Sequence, residues 1–186
     1  FFIQGIINTF GVNEISAYTS AYKIESILTI PAVNLGMALS VYVGQNIGAG
    51  EYDRTRQGLK DSFKIAAAFT ALAMAILWFA SPLLMVLVVG KEMAVIPIGV
   101  QYLRIISVTF PLCVSLYLLT NFLRGAGEIA YPLFNTLLEL CFRTISAFVL
   151  AHYFGFVGVL LCRPLSFVVS TVSLSCRLLS GKWKRN

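Results

Sequence analysis

Three ionisable residues, Glu139, Arg143 and Arg163, lie inside long apolar stretches of the sequence. A charged side chain within a membrane span costs at least ~2.5 kcal/mol on insertion scales, so each one needs a partner and is a candidate for function. Glu139 precedes Arg143 by four residues, which places a carboxylate and a cation on the same face of a helix. Arg143 and Arg163 each lie ten residues from the predicted turn at Tyr153, so helix rise puts both ~15 Å from it. We therefore predict one cluster of these three residues, facing the interior of a helix bundle.

Two interpretations of this cluster follow from its chemistry. In the first, Glu139, Arg143 and Arg163 are structural and form ion pairs that hold two antiparallel helices together. In the second, Glu139 is a titrating or substrate-contacting group and Arg143 lies with it on the substrate pathway, because ionisable residues inside spans mark substrate and ion pathways.

Three uncharged amides in apolar segments, Asn8, Asn34 and Asn121, form a second class of candidates. Most such groups hydrogen-bond between helices for a modest gain in stability. Asn34 follows Pro31 by three residues, and a helix interrupted at proline exposes backbone carbonyls that a transporter can use for ligand contact. Two interpretations therefore stay open for these amides: they pack between helices, or they are candidates for a substrate pathway together with the acidic and basic pair named above.

Catalytic and metal-binding patterns are absent from the sequence. His152 is the only histidine, and neither HExxH nor Gly-x-Ser-x-Gly occurs. The four cysteines lie in apolar runs without close pairing, so we interpret them as small buried hydrophobic residues. Residues 44–50 are rich in glycine but lack the Gly-Lys-Ser/Thr ending of a phosphate-binding loop, and we interpret them as a helix exit. We therefore expect no enzyme activity, no metal and no cofactor.

The composition indicates the solvent in which these residues must be positioned. Of the 186 residues, 58% are hydrophobic and 12% are charged, whereas soluble domains average roughly 45–50% and about 25%. So little polar surface cannot cover a water-soluble globule, and a bilayer tolerates it.

The apolar runs predict an all-α integral membrane protein, a six-helix bundle with a truncated first helix. The stretch 65–89 has 25 residues without a charge, enough to cross ~30 Å of hydrocarbon. The chain begins with Phe1, and the first run is too short for a span, so we expect a fragment of a longer polypeptide. The predicted elements are a helix fragment at 1–10, helices at 15–47, 65–89, 105–123, 129–151 and 156–176, and a tail at 177–186.

The lysines and arginines predict the orientation, because cytoplasmic loops carry an excess of both. If the helices alternate in direction, nine cations fall on one side: Arg54, Arg56, Lys60, Lys64, Arg124, Arg177, Lys182, Lys184 and Arg185. The other side has Lys91 and, at the mouths of helices, Lys23 and Arg104. We therefore predict a multi-pass protein of the plasma (inner) membrane with a cytoplasmic tail. Since the positive charge is divided among loops, we expect no nucleic-acid partner.

Several short motifs occur in the order and spacing of a known transporter family. They are Asn-Thr-Phe-Gly at 8–11, Pro31, Val-Gly-Gln-Asn-Ile-Gly-Ala-Gly at 43–50, Leu-Arg-Gly-Ala-Gly at 123–127, Tyr-Pro at 131–132, Gly155, Gly158 and Gly-Lys-Trp at 181–183. On these residues the chain resembles the multidrug and toxic compound extrusion (MATE) transporters, and among them the DinF-like branch. The resemblance covers essentially the whole chain.

The resemblance implies twelve helices in two lobes that face a central cleft, with this chain as the carboxyl-terminal lobe and the missing amino-terminal lobe as its partner. It implies secondary-active efflux of small cationic or amphipathic compounds by alternating access, in antiport with protons or sodium. Because a cleft needs both walls, we expect that this chain alone does not transport. The alternative is a flippase for a lipid-linked precursor or polysaccharide of the same superfamily, and an intramembrane enzyme is a more distant one.

One position departs from the pattern of sodium-coupled members. These carry acidic residues on the seventh helix, upstream of this chain, and on the tenth helix, ahead of the Leu-Arg-Gly turn. Cys113 stands near the latter position. The resemblance therefore implies proton rather than sodium coupling, through an aspartate on the family's first helix, outside this sequence.

Overall fold

The chain is predominantly helical in the part that the computed structural model describes, which comprises residues 2–7, 10–90, 92–181 and 183. The helices are α1 (Phe2–Ile7), α2 (Val12–Gly48), α3 (Tyr52–Phe79), α4 (Ser81–Val89), α5 (Ile96–Gly125) and α6 (Ala130–Leu179). Four of them, α2, α3, α5 and α6, are long and apolar enough to cross a membrane. The predicted all-α membrane fold class is confirmed.

The predicted single helix over 65–89 is wrong, because the chain breaks at Ala80 between α3 and α4. Pro82 causes the break: it has no backbone N–H to donate to the carbonyl of Trp78, and its ring crowds that carbonyl. The hydroxyl of Ser81 donates to the Trp78 carbonyl instead, at 3.3 Å. The uncharged stretch is therefore shared between the end of a long helix and a short separate one.

Other helices extend beyond the uncharged stretches from which they were predicted. The helix α3 begins at Tyr52 rather than at residue 65, and α5 begins at Ile96 rather than at residue 105. At the other end of the chain, α6 continues to Leu179. The absence of charge marks the part of a helix that lies in hydrocarbon, whereas backbone hydrogen bonding continues through the polar turns at either side.

The predicted helices 129–151 and 156–176 appear as two arms of α6, separated at Gly155. This residue has φ 58° and ψ −140°, a positive-φ conformation that glycine adopts at little steric cost. We call residues 130–154 the first arm and residues 156–179 the second arm.

The two arms run antiparallel. The Tyr131 hydroxyl lies 2.9 Å from Ser173 Oγ, although 42 residues of straight helix would separate them by ~63 Å. At the turn, a Cβ on Gly158 would lie 2.0 Å from the Leu150 carbonyl oxygen. Glycine is therefore required there for the second arm to pass so close to the first.

The helix α5 is the centre of the bundle and packs against α2, α3, α4 and α6. Its Tyr102, Phe110 and Phe122 are fully buried. It runs alongside α2 at very short range, since a Cβ on Gly125 would lie 2.4 Å from the Ser40 carbonyl oxygen. Small residues at such contacts allow membrane helices to gain packing energy from close backbone approach.

The ends of α2, α5 and the second arm meet the start of α3 at one end of the bundle, which we call the basic end because exposed Arg54 and Arg56 lie there. Part of the predicted tail folds back onto it. The Trp183 ring contacts the ring of Phe122, at 5.1 Å between centroids, and that of Tyr52 at 6.4 Å. At 3% exposure, Trp183 belongs to the core of the fold.

Candidate functional site: a membrane cavity with an ion pair

A cavity of about 250 Å³ opens between α2, α5 and the second arm of α6. The residues around it include Tyr22, Glu25, Thr29, Asn34, Tyr117 and Arg163. Arg163 lies eight residues after the turn at Gly155, so helix rise places it ~12 Å from that turn. The cavity therefore lies at a depth where a charged wall is exceptional.

Glu25, Tyr102 and Arg163 form a hydrogen-bonded set at this cavity, which we call the inner cluster. Tyr102 Oη donates to Glu25 Oε2 at 2.6 Å. Arg163 Nη1 donates to the same carboxylate oxygen at 2.5 Å and to Tyr102 Oη at 2.8 Å. The side chains of Glu25 and Arg163 are only 2% and 15% exposed. A buried ion pair persists when further hydrogen bonds satisfy its polar atoms, and the tyrosine hydroxyl supplies them here.

Aromatic rings complete the surroundings of the Arg163 guanidinium. Its central carbon lies 5.3 Å from the centroid of Tyr22 and 5.7 Å from that of Phe167, within range of a cation–π attraction. The buried Nε of Arg163 has no hydrogen-bond partner in the described part of the chain. The wall of the cavity thus holds a cation between a carboxylate and aromatic faces.

The predicted cluster of Glu139, Arg143 and Arg163 needs correction. Glu139 Oε1 and Arg143 Nη1 lie 3.7 Å apart on the first arm of α6. The assignment of Arg163 to that pair is wrong, because its guanidinium bonds to Glu25 instead. Glu139 already faces a cation one turn along its own helix, whereas the buried carboxylate of Glu25 offers Arg163 a shorter contact. The roles of Glu139 and Arg143 in a substrate pathway remain predictions.

Asn34 is an exposed residue at the cavity. The premise of an interrupted helix is wrong, however, since α2 continues without a break through Pro31. Asn34 therefore reaches the cavity from the surface of a regular helix, and its contact with a substrate stays a prediction. Asn8, the predicted amide nearest the amino end, lies outside the described residues.

Asn121 lies at the contact between α5 and α2. Its Nδ2 donates to the carbonyl of Tyr117 at 2.9 Å and would lie 2.7 Å from a Cβ on Gly36. This geometry gives Asn121 a packing position between two helices, and a role in the substrate pathway remains a prediction.

Glu25 is not among the predicted site residues, because the neighbouring Lys23 indicates the end of a membrane span. Residues two apart on a helix point ~200° away from each other, and Lys23 is exposed while Glu25 is buried. The signal that could have found it is the spacing of Glu25 with Thr29, Ala32 and Gly36, which are all buried. This spacing of four, three and four residues marks the small-residue face of α2.

A second ion pair lies at the basic end, where Glu128, Tyr131 and Arg177 form what we call the basic-end cluster. Arg177 Nε donates to Glu128 Oε1 at 2.5 Å, and Nη2 contacts the same oxygen. The Arg177 guanidinium carbon lies 5.0 Å from the centroid of Tyr131. The pair fixes the connection between α5 and α6 to the last turns of the second arm.

The cysteines divide between the core and the surface of the bundle. Cys113 and Cys162 are buried, whereas Cys141 and Cys176 are exposed, so the interpretation of all four as buried is wrong. His152 is exposed beside Tyr153. Within the described ranges, no three His, Cys, Asp or Glu side chains form a group that could hold a metal ion.

Comparison with known proteins gives the family. The MatE family model matches residues 1–155, so the chain belongs to the MatE family. It is similar to two proteins of Bacillus subtilis (strain 168). One is the probable multidrug resistance protein YpnP, 27% identical over 183 residues, which are 98% of this chain and 41% of that protein. The other is the probable multidrug resistance protein YoeA, 26% identical over 171 residues, which are 90% of this chain and 37% of that protein.

A solved structure shares the fold. It shows the outward-facing conformation of a multidrug resistance MATE family transporter of the MOP superfamily, with a TM-score of 0.89 and 16% identity. The match covers 97% of this chain and 40% of that one. The chain thus spans about two-fifths of the length of the relatives it matches. The family consists of transporters rather than enzymes, and its multi-pass architecture agrees with the four apolar helices.

Proposed function

We propose that the gene product containing this chain is a secondary-active exporter of small cationic or amphipathic compounds that works by alternating access. The chain forms its carboxyl-terminal lobe, and the amino-terminal lobe supplies the opposite wall of a central cleft. The observation that carries the proposal is a membrane cavity, in a MatE-family fold, whose wall holds a guanidinium against a carboxylate and an aromatic ring.

The cavity offers an organic cation the partners that Arg163 uses now. Glu25 provides a carboxylate and Tyr22 an aromatic face, and these two groups attract cations strongly when water is excluded. Ile30 and Val33 add apolar wall for the rest of an amphipathic molecule. A cationic substrate in this cavity competes with Arg163 for Glu25, so binding and rearrangement of the inner cluster are coupled.

The charges of the described helices favour efflux over the lipid-linked precursor flippase. A cleft for a phosphorylated precursor needs several free cations. Arg143 and Arg163 each face a carboxylate, from Glu139 and Glu25 respectively. Their positive charge is therefore largely neutralised within the protein.

We propose proton rather than sodium as the coupling ion. Sodium prefers hard oxygen ligands, and Cys113 on α5 places a buried thiol near the position where sodium-coupled relatives carry a carboxylate. Proton coupling then depends on an acidic residue in the other lobe. Inverted vesicles distinguish the two ions. Substrate uptake should be driven by a proton gradient with the higher proton concentration inside, and not by a sodium gradient of the same direction.

The proposed location is the plasma (inner) membrane with the basic end in the cytoplasm. The cations of the loops support this orientation, since lysine and arginine accumulate in cytoplasmic loops. A tag fused after residue 186 should resist protease added to intact cells and become accessible after the cells are opened. Cleavage in intact cells contradicts the orientation.

Efflux of a fluorescent cationic dye from cells that lack their own exporters tests the proposed function. Cells expressing the gene product should retain less dye than cells with an empty vector, and a protonophore should abolish the difference. The 186-residue chain alone, expressed to the same level in the membrane, should give no efflux. Equal retention with and without the gene product, for cationic dyes of several shapes, overturns the proposal.

A further inference from the structure

We infer that the cleft between α3 and α5, at the end opposite the basic end, is a binding site for an anionic phospholipid whose phosphate is held by Arg104. The cleft has a volume of about 490 Å³. Its residues include Trp78 from α3 and Val100, Gln101, Arg104 and Val108 from α5. It is separate from the cavity of the inner cluster and goes beyond the proposed function.

The first observation is the unpaired charge of Arg104. All three arginines of α6 face a carboxylate. Arg104 is exposed, and across the described residues it makes no ion pair; its guanidinium carbon lies 5.8 Å from the centroid of Trp78. A cation at the end of a membrane helix is attracted to anionic groups, and the described residues of this chain do not provide one.

The second observation is the depth of Arg104 in the membrane. Residues 105–123 carry no charge, and 19 helical residues extend ~28 Å, close to the thickness of the hydrocarbon layer. Arg104 therefore lies at the edge of the hydrocarbon, at the level of the lipid phosphates. Trp78 lies beside it and is 44% exposed, as is usual for tryptophan at this interface.

The third observation is the shape and polarity of the cleft. Next to the guanidinium its walls are mainly apolar, with half-buried Val100 and Ile105 and exposed Val108. A phosphate with an acyl chain attached fits both parts, since Arg104 and Gln101 can donate to the phosphate while the chain covers the valines. A free phosphate ion uses only the polar part, so the cleft specifies a lipid.

Net negative charge is the property that distinguishes the proposed ligand from zwitterionic phospholipids. In a zwitterionic lipid the choline or ethanolamine group offsets the phosphate, whereas phosphatidylglycerol keeps its charge. One cation at a membrane surface contributes about a fivefold preference for anionic lipid. Arg104 should therefore select phosphatidylglycerol over phosphatidylcholine at this cleft.

Tryptophan quenching by brominated lipids tests the inference on the gene product in bilayers. The signal of Trp78 is the difference in fluorescence between the protein and its Trp78→Phe variant. In mixtures of the two lipids, phosphatidylglycerol brominated near the head of its acyl chains should quench this signal with about a fivefold higher relative affinity than brominated phosphatidylcholine. The Arg104→Gln variant should lose the preference, and millimolar inorganic phosphate should not reduce quenching.

Arg124→Gln is the matched control, because Arg124 is an exposed arginine on the same helix at its other end. It should leave the preference at Trp78 unchanged. Equal quenching by both lipids in the unmodified protein overturns the inference without recourse to any variant. A preference for phosphatidylglycerol that survives Arg104→Gln also overturns the inference. Relief of quenching by inorganic phosphate indicates a free-anion site instead of a lipid site.

Discussion

The inner cluster and the basic-end cluster use the same three residue types in different places. Each combines a buried glutamate, a tyrosine and an arginine, and both arginines lie on the second arm of α6. The basic-end cluster joins the connection after α5 to the last turns of α6. The inner cluster joins α2, α5 and α6 and borders a cavity. We therefore propose that the surroundings of a membrane ion pair, more than its composition, distinguish a structural role from a functional one.

The two clusters also differ in the bonding of their tyrosine hydroxyls. The Tyr102 hydroxyl bonds to both charged partners of the inner cluster. The Tyr131 hydroxyl bonds to Ser173 instead, so that only its ring faces Arg177. Each cluster leaves one buried polar atom without a partner among the described residues, Arg163 Nε and Glu128 Oε2 respectively, so the tyrosine hydroxyls make the difference. The inner cluster is therefore the more tightly connected of the two.

Removal of Arg163 should have the largest effect on stability. Arg163→Ala leaves the carboxylate of Glu25 buried and unpaired, which costs about 3–5 kcal/mol. Arg177→Ala should cost less, since that arginine lies at the end of the bundle and is 24% exposed. Thermal unfolding of the two variants in detergent measures the difference, and an Arg177→Ala variant that is equally or more destabilised contradicts this ranking.

Loss of the close α2–α5 contact should be the next largest effect. In Gly125→Ala the new methyl group meets the Ser40 carbonyl, and such overpacking costs about 1–3 kcal/mol. Gly48→Ala is the control, because no atom lies within 4 Å of its added Cβ. Unfolding temperatures should fall for the first variant and stay level for the second. If both stay level, the two helices are not held at the distance described.

The two tyrosine hydroxyls should contribute different free energies to stability. Tyr102→Phe removes hydrogen bonds to a buried ion pair, and bonds to charged groups contribute about 1.5–3 kcal/mol. Tyr131→Phe removes bonds to a neutral partner, which contribute about 0.5–1.5 kcal/mol. Denaturation of the two variants under identical conditions measures both values. Equal losses show that Tyr102 does not stabilise the pair through its hydroxyl.

Glu139→Gln should destabilise the protein less than Arg163→Ala, because Arg143, the cation left without its carboxylate, is 26% exposed, whereas Glu25 is 2% exposed. Its effect on transport tests the predicted pathway. Resistance to cationic dyes should fall in cells that express the variant at the normal level. Unchanged resistance assigns Glu139 to a structural role.

The sequence predicts local geometry better than contacts between distant segments. The approach of Glu139 and Arg143 follows from their spacing of four residues, because helix geometry alone determines it. Glu25 and Arg163 are 138 residues apart, and their contact depends on how α2, α5 and α6 pack. No pattern of spacing contains that information, so Arg163 was assigned to a carboxylate close in sequence.

The boundaries of the helices also show which features local sequence patterns predict and which they do not. The turn at Gly155 lies between two apolar runs and was predicted closely. The break before Pro82 follows from a backbone rule and leaves no mark on the charge pattern, which continues uncharged through residues 65–89. The burial of Trp183 against Phe122 requires the tail to return to the bundle, whereas the basic residues around it predict only that the tail is cytoplasmic.

The most direct test of the central claim compares dye efflux by two double variants of the gene product. Glu25→Gln with Arg163→Met neutralises the inner cluster, and Glu128→Gln with Arg177→Met neutralises the basic-end cluster. Replacing both partners of a buried pair leaves no isolated charge, so both proteins should fold. We expect the first double variant to lose efflux and the second to retain it. Efflux at the unmodified rate by a folded inner-cluster double variant contradicts the account.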